Sequence, residues 1–410
     1  MGGRKLIEKY TSKNGVRTVF EHIPSVRSVT IGIWILTGSR NETKQNNGIS
    51  HYIEHLFFKG TRTRAAQDIA EAFDAIGGQM NAFTSKEFTC FYAKVLDTHK
   101  ETALDILADM FFNSVFDEEE MNREKNVVIE EIKMSEDTPD DIIHDDLAKA
   151  SYGDHSLGYP ILGTEANLNR FTREEIVHYI EEQYRPENVV ISVAGNADAS
   201  FIDRIDNYFG TYETKAKQTT LNKPVFLSNA ITKEKDIEQA HFCLGYSGIA
   251  VDDPQVYSLL VMNNVLGGSM SSRLFQEVRE KLGLAYSVFS FHSTFLDSGM
   301  LTIYAGTGKE QLSTLKDTIQ KTVESLASNG LTDKELKNSK EHLKGNLMLG
   351  LEGTGSRMSR NGRNELLLKR HRDLDEIIKE IDAVDHDSIN HVIDALLKNE
   401  PSSAVISPSK

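Results

Sequence analysis

The sequence predicts an α+β fold made of two tandem homologous domains, each a mostly antiparallel sheet packed with helices. Three observations support this prediction. The chain has 410 residues, which is too long for one ordinary hydrophobic core. Strand-like and helix-like segments occur twice in the same order: a strand, helices, two strands, helices and a strand. In each copy the strand pair is separated from clustered helices, which is typical of α+β domains.

The first copy begins with residues 29–36, where isoleucines alternate in a run that predicts a strand buried on both faces. A helix is predicted for residues 65–76 and a strand pair for residues 80–95, which turns near Ser85. Further helices, with their apolar residues at helical spacing, are predicted for residues 117–137 and 172–182. A strand over residues 188–196 completes the copy.

The second copy follows a stretch almost without apolar residues, 213–224, which we interpret as a linker. The predicted domains are therefore residues 1–212 and 225–410. A strand starting at His241 corresponds to residues 29–36, and a strand pair over residues 287–306 corresponds to residues 80–95. The pattern indicates a degenerate repeat of about 200 residues.

Composition excludes several classes of protein. The net charge of −15 argues against a nucleic-acid partner, which would need clustered Lys and Arg. No apolar run approaches the roughly 18 residues of a membrane-spanning helix, so no membrane association is expected. The first 15 residues lack the apolar region of a secretory signal. Two distant cysteines, Cys90 and Cys243, are expected to be reduced core residues of a cytoplasmic protein.

The most informative motif is H-x-x-E-H, formed by His51, Glu54 and His55. On a helix these three side chains share one face, because positions i, i+3 and i+4 are neighbours. The other face carries Ile49, Ile53, Leu56 and Phe57, a pattern that favours burial. The plainer interpretation of the motif is a helix with ordinary surface His and Glu residues.

The chemistry open to this motif is that of a metal centre. Two neutral imidazoles one turn apart can bind zinc, but a catalytic zinc takes three protein ligands and a water. Glu54 could act as general base on that water. The order of residues is the reverse of H-E-x-x-H and is the inverzincin signature. A third ligand must come from elsewhere in the chain.

Five segments in order resemble the pitrilysin family of zinc metallopeptidases, which includes insulin-degrading enzyme and the mitochondrial processing peptidase. The resemblance spans residues 5–400 and is greatest to the short bacterial branch, which is similar to the catalytic β subunit of the processing peptidase. The segments are SHYIEHLFFKGT, GGQMNAFTSKEFTCFYAKV, REKNVVIEEIKMSEDTPDD, LGYPILGTE and SRLFQEVREKLGLAYSV.

The resemblance implies that Glu131 completes a site for one Zn²⁺ per chain with His51 and His55. Its neighbour Glu130 is the alternative, and the two lie about 100° apart on a helix, so only one can face the metal. Glu124 lies two turns before Glu131 and is implied to orient a ligand or a water, although it could be an ordinary carboxylate of a charged helix.

Two further sets of residues follow from the resemblance alone. Asn81, Ala82 and Phe83 resemble the strand edge to which the family adds an extended peptide substrate. Arg279 and Tyr286 resemble an arginine and a tyrosine that the metal-free second domain directs at the substrate carbonyl, where they would stabilise an oxyanion.

The favoured hypothesis is a zinc endopeptidase that acts on oligopeptides or unfolded segments. Four such domains enclose a chamber in the family, so a two-domain chain is expected to form a homodimer. One alternative is a non-catalytic peptide-binding or scaffold protein of the same fold. Another is a subunit that requires a different partner chain for activity, as in the heterodimeric processing peptidases.

Overall fold

The computed structural model describes residues 7–214 and 220–409, which form two compact units. The first contains Met1–Ile132, Pro160–Leu221 and Gly350–His371, and the second contains Lys133–Tyr159, Asn222–Leu349 and Arg372–Lys410. Each unit has its own sheet and its own hydrophobic core.

Eleven strands are found in the described residues. They are β1 (Glu8–Thr11), β2 (Arg17–His22), β3 (Ser28–Ile35), β4 (Gln79–Thr84), β5 (Thr89–Leu96), β6 (Val189–Gly195), β7 (Ala230–Lys235), β8 (Gln239–Ser247), β9 (Ala285–Thr294), β10 (Gly299–Gly308) and β11 (Ser402–Pro408).

Fourteen α-helices accompany them in the same residues, together with a π-helical segment at Phe275–Lys281. They are α1 (Ile49–Leu56), α2 (Ala66–Ala75), α3 (Lys100–Asn113), α4 (Glu118–Glu136), α5 (Pro139–Tyr152), α6 (Glu165–Arg170), α7 (Arg173–Gln183), α8 (Ser200–Phe209), α9 (Val256–Leu266), α10 (Leu312–Asn329), α11 (Asp333–Gly350), α12 (Thr354–Leu367), α13 (Leu374–Asp382) and α14 (His386–Leu396).

The two sheets have the same order of strands. The first runs β1-β2-β6-β3-β5-β4 and the second β7-β11-β8-β10-β9. In both, one pair is parallel, β2 with β6 and β7 with β11, and the other pairs are antiparallel. The predicted internal repeat and the α+β class are therefore confirmed, and β1 is an extra strand at the edge of the first sheet.

The central strand β3 is buried on both faces, as its alternation of residues predicts. Val29, Ile31, Ile33 and Ile35 pack in the core that includes α1 and α3. Trp34 points to the other face, where its indole Nε1 donates a hydrogen bond to the Met358 sulfur at 3.2 Å. The helix α12 thus covers the second face of the first sheet.

The compact units depart from the predicted continuous ranges in two segments. Residues 133–159 belong with the second unit because Ile143 and Leu147 of α5 pack in a cluster with Cys243 and Ile406. Residues 350–371 return to the first unit because α12 supplies the cover for Trp34. The linker predicted at 213–224 includes residues 215–219, which lie outside the described residues.

Two simpler predictions concern the cysteines and the membrane. Cys90 and Cys243 are both buried and unpaired, as predicted. Among the helices in the described part of the chain, none combines the length and apolarity needed to cross a bilayer. The cytoplasmic location stays a prediction.

Candidate metal centre

The helix α1 carries the H-x-x-E-H motif, and its entry is fixed by a close backbone contact. Gly48 precedes the helix with φ +99, a left-handed conformation that favours glycine. A Cβ atom on Gly48 would lie 2.7 Å from the Cα of Gly163. Glycine at both positions therefore allows these two backbone segments to come into contact. Ile49, Ile53 and Leu56 then anchor the helix in the core.

A buried acid, Glu42, caps the start of α1. Its carboxylate accepts hydrogen bonds from the backbone N–H groups of Gly48 at 2.8 Å and Ser50 at 2.9 Å, and from the amide of Asn47 at 2.9 Å. Burial raises the pKa of Glu42, while these hydrogen bonds act to lower it. An acceptor at this position satisfies amides that lack partners within the helix.

His51, His55 and Glu131 converge at one point. The Oε2 atom of Glu131 lies 3.4 Å from Nε2 of His55 and 3.7 Å from Nε2 of His51. Each of the three residues offers one potential ligand atom, and these three atoms all lie within 4.8 Å of one another. In residues 7–214 and 220–409 this is the only such group of three His, Cys, Asp or Glu residues.

The donor set suits a zinc ion. Two ligands about 2.1 Å from a tetrahedral ion lie roughly 3.4 Å apart, close to the separations between Glu131 and the two imidazoles. Burial and the neighbouring His55 lower the pKa of His51 to about 4, so its imidazole is neutral at physiological pH. Two histidines, each binding as a neutral imidazole, and a carboxylate are a ligand set common to catalytic zinc sites.

Glu124 fixes the ring of His55. The Nδ1 atom of His55 lies 2.8 Å from Oε1 of Glu124, and an ionised carboxylate can only accept, so Nδ1 is the donor. Lys59 binds the other oxygen of Glu124 at 2.6 Å. Burial lowers the pKa of His55, but hydrogen bonds to Glu124 and Glu131 outweigh it and raise that pKa to about 9. A metal ion would therefore have to displace a proton from His55.

Glu54 lies beside this cluster on the same helix. Its Oε2 atom accepts a hydrogen bond of 2.5 Å from the hydroxyl of Thr84 on β4. Burial is the largest influence on Glu54 and raises the pKa of its carboxyl group. A carboxylate with a raised pKa is a suitable acceptor and donor of protons near neutral pH.

The two candidate glutamates of α4 differ in their surroundings. Glu131 is half-buried and adjoins both imidazoles, whereas Glu130 is exposed on the neighbouring face of the helix. The side chain of Glu124, two turns before Glu131, is buried against His55. The structure thus brings together the three ligands and the orienting acid that the resemblance implies.

The predicted peptide-binding residues lie on an edge strand. Asn81, Ala82 and Phe83 belong to β4, which pairs with β5 on one side and ends the order of strands in the first sheet. Phe83 packs edge-on against Trp34, with ring centroids 5.6 Å apart, on the face away from α1. The backbone edge is the feature that an added strand would use.

Arg279 and Tyr286 belong to the second unit. The Arg279 guanidinium lies 4.5 Å from the centre of the Tyr286 ring and 4.7 Å from that of Phe275, so the two predicted residues contact each other. Tyr286 is 81% exposed. Their part in stabilising an oxyanion stays a prediction.

Three residues at the centre were missed from the sequence: Glu42, Lys59 and Thr84. Lys59 follows His55 by four residues, a spacing that would suggest a shared partner on a continuous helix. The helix α1 ends at Leu56, however, so Lys59 reaches Glu124 from the turn after it. Glu42 and Thr84 reach α1 from a loop and a strand, and no local pattern of residues marks them.

Two models of one protein family match consecutive parts of the chain. Residues 17–165 match the family model described as insulinase, peptidase family M16, and residues 170–343 match the model described as the M16 inactive domain. A Bacillus subtilis protein named uncharacterized zinc protease YmxG is 60% identical over 404 residues, covering 98% of this chain and 99% of the relative. A Streptomyces coelicolor protein, also named an uncharacterized zinc protease, is 41% identical, covering 98% of this chain and 90% of the relative.

Solved structures share the fold across almost the whole chain. A protease from Helicobacter pylori superposes with a TM-score of 0.90 at 22% identity, covering 98% of this chain and 99% of that one. A Pseudomonas fluorescens structure described as a peptidase M16 inactive domain gives a TM-score of 0.92 at 20% identity and covers 98% of both chains.

A duplicated α+β fold in which the two histidines of an H-x-x-E-H motif meet a carboxylate from another helix is typical of one class of metallopeptidases. The comparisons place this chain within that class: it belongs to peptidase family M16. The predicted resemblance to zinc metallopeptidases is confirmed, and the relatives' names support a metallopeptidase that uses zinc.

Proposed function

We propose that the protein is a zinc-dependent endopeptidase in which His51, His55 and Glu131 hold one zinc ion per chain. The observation that carries the proposal is the convergence of Nε2 of both histidines on Oε2 of Glu131, within 3.7 Å. When bound there, zinc supplies Lewis-acid activation of a water and of a peptide carbonyl.

Glu54 is the proposed general base. It accepts a proton from the attacking water and delivers that proton to the leaving amine of the cleaved peptide bond. Its position one residue before His55 puts its carboxylate beside the ligands, and its raised pKa suits both transfers. Glu124 keeps a proton on Nδ1 of His55, which leaves Nε2 available as a ligand.

The proposed substrate is an extended peptide that adds to the free edge of β4 at Asn81, Ala82 and Phe83. Backbone hydrogen bonding of this kind accepts many sequences, because it does not depend on the identity of the side chains. Oligopeptides and unfolded segments offer such a strand, whereas most folded proteins do not.

We also propose that the active form is a homodimer. The chain contains two homologous units, and the resemblance to the pitrilysin family implies four such domains around a chamber. Light scattering of the zinc-loaded protein should give twice the monomer mass of 46.0 kDa. A monomer that retained full peptidase activity would contradict the dimer without contradicting the zinc chemistry.

The function is tested with Glu54→Gln and a mixture of quenched fluorescent peptides. The proposal predicts that hydrolysis falls by about 10²- to 10⁴-fold while zinc content stays near one per chain. His51→Ala should lose both zinc and activity. Full activity in zinc-loaded Glu54→Gln would contradict the assigned base, and a zinc-free wild type that still binds peptide would favour a scaffold.

A further inference from the structure

We propose that Thr84 is a positioning residue, whose hydroxyl holds the carboxylate of Glu54 in the orientation needed for proton transfer. This inference rests on the proposed peptidase function and adds a residue to it. Thr84 is the last residue of β4 and directly follows the proposed peptide-binding residues 81–83.

The hydrogen bonds determine which way the Thr84 proton points. Thr84 has one hydroxyl proton, and its oxygen lies 2.5 Å from Oε2 of Glu54 and 3.4 Å from the hydroxyl of Thr89. The Thr89 hydroxyl donates to the carbonyl oxygen of Thr37 at 2.9 Å, so its proton is already used. Thr84 therefore donates to Glu54, because an ionised carboxylate only accepts.

This hydrogen bond gives the two carboxylate oxygens of Glu54 different surroundings. Oε2 is held by Thr84, whereas Oε1 accepts no hydrogen bond from residues 7–214 or 220–409. The restrained oxygen sets the orientation of the group, and the other oxygen remains available to a water. A general base is effective only when its acceptor atom is within hydrogen-bond reach of the proton that it removes.

The hairpin that carries Thr84 is itself firmly attached. The backbone N–H groups of Ser39 and Arg40 donate to the carbonyl oxygens of Ser85 at 3.2 Å and Lys86 at 2.7 Å. Arg40 also forms a buried ion pair of 2.5 Å with Glu87 in the turn between β4 and β5. These contacts restrain the turn, so the Thr84 hydroxyl is presented from a rigid support.

Thr84 also joins the base to the strand proposed to bind substrate. Ala82 and Thr84 lie two residues apart and share one face of β4, because successive side chains alternate in a strand. A peptide paired with the free edge of β4 would thus be aligned by the same strand that orients Glu54. This arrangement sets the distance between the base and the peptide backbone through a single short segment.

The test compares Thr84→Val with Thr84→Ser in the zinc-loaded full chain, using a single quenched fluorescent peptide. Valine preserves the shape and the strand preference of threonine but removes the hydroxyl. We expect kcat to fall by about 10- to 100-fold in Thr84→Val, with KM and zinc content unchanged. Serine keeps the hydroxyl and should restore most of the lost kcat. Thr232→Val, at an exposed position of the strand β7, is the matched control and should leave kcat unchanged.

A double variant separates a positioning role from a structural one. In the Glu54→Gln background, Thr84→Val should cause no further loss of kcat, because the group that it positions is gone. A normal kcat in zinc-loaded Thr84→Val, or an equal further loss in the Glu54→Gln background, would overturn the role of Thr84 alone. Absence of zinc-dependent hydrolysis in the wild type would instead overturn the peptidase itself, and the role of Thr84 with it.

Discussion

The Nδ1 atom of His55 lies 2.8 Å from Oε1 of Glu124, and this contact decides which nitrogen of His55 faces Glu131. With Nδ1 donating to the carboxylate, Nε2 is directed to Oε2 of Glu131 at 3.4 Å. Lys59 holds the second oxygen of Glu124 at 2.6 Å and keeps that acid ionised. Residues outside the ligand set thus determine the orientation of a ligand.

Replacing Glu124 with Gln should weaken zinc binding by about 10- to 100-fold, because His55 loses its charged partner. Competition with a zinc chelator, followed by metal analysis, measures the change. Glu118→Gln is the control, since Glu118 is exposed in the first turn of the same helix. Equal zinc affinity in Glu124→Gln and wild type would show that the contact does not support the site.

The neighbouring pair Glu130 and Glu131 offers a second matched comparison. Glu131→Gln removes the carboxylate that adjoins both imidazoles and should abolish both stoichiometric zinc and peptidase activity. Glu130→Gln changes an exposed residue on another face of α4 and should retain both. Zinc content by mass spectrometry and peptide hydrolysis are the two readouts. The opposite result would assign the third ligand to Glu130.

Glu42→Gln should destabilise the first unit by about 1–3 kcal/mol, because an amide N–H₂ would replace an oxygen that accepts from backbone N–H groups. Urea unfolding of the zinc-free protein measures the difference, since bound zinc would add its own stabilisation. Glu174→Gln, at an exposed position of α7, should change the free energy of unfolding little. An unchanged stability in Glu42→Gln would mean that the cap of α1 is dispensable.

A stability prediction that depends on pH comes from Glu335 in the second unit. Hydrogen bonds from Arg273, at 2.8 and 2.9 Å, and from Thr332 lower the pKa of Glu335 to about 2, below its ordinary value of 4.5. A group with a lowered pKa in the folded state stabilises the fold above its unfolded pKa. That stabilisation is lost as pH falls from 4.5 towards 2.

Urea unfolding of wild type and Glu335→Gln at several pH values tests this prediction. Wild type should be more stable at pH 7, and the difference should shrink as pH falls below about 4.5. Arg273→Gln should show the same trend, because it removes the other partner. A difference in stability that is constant from pH 7 to pH 3 would exclude the ionised pair as its source.

Local patterns predicted much of the fold, and the reasons are visible in particular residues. The isoleucines of β3 alternate, and the apolar stripe of α1 repeats at helical spacing, so both elements followed from periodicity. The position of α12 could not be predicted from periodicity, because several of its buried residues are polar, including Asn361 and Glu365. Asn361 donates to Glu21 at 2.7 Å, a contact across 340 residues of sequence.

In the candidate site, too, residues close together in sequence could be predicted, and residues brought together by the fold could not. His51, Glu54 and His55 lie within one helical turn, so their common face could be predicted from spacing alone. Glu131 and Glu124 required the family resemblance, because two helices and the hairpin of β4 and β5 separate α1 from α4, and no local pattern links the two helices. Thr84 and Glu42 reach α1 through the tertiary structure, and the contacts that they make depend on distances that no sequence spacing specifies.

A zinc ion held by His51, His55 and Glu131 would be visible by anomalous diffraction at the zinc absorption edge, from crystals grown with one equivalent of zinc. We expect one peak per chain, at about 2.0–2.2 Å from Nε2 of both histidines and an oxygen of Glu131. Crystals soaked in zinc that show no peak there, or a peak bound by Glu130 in place of Glu131, would contradict this expectation.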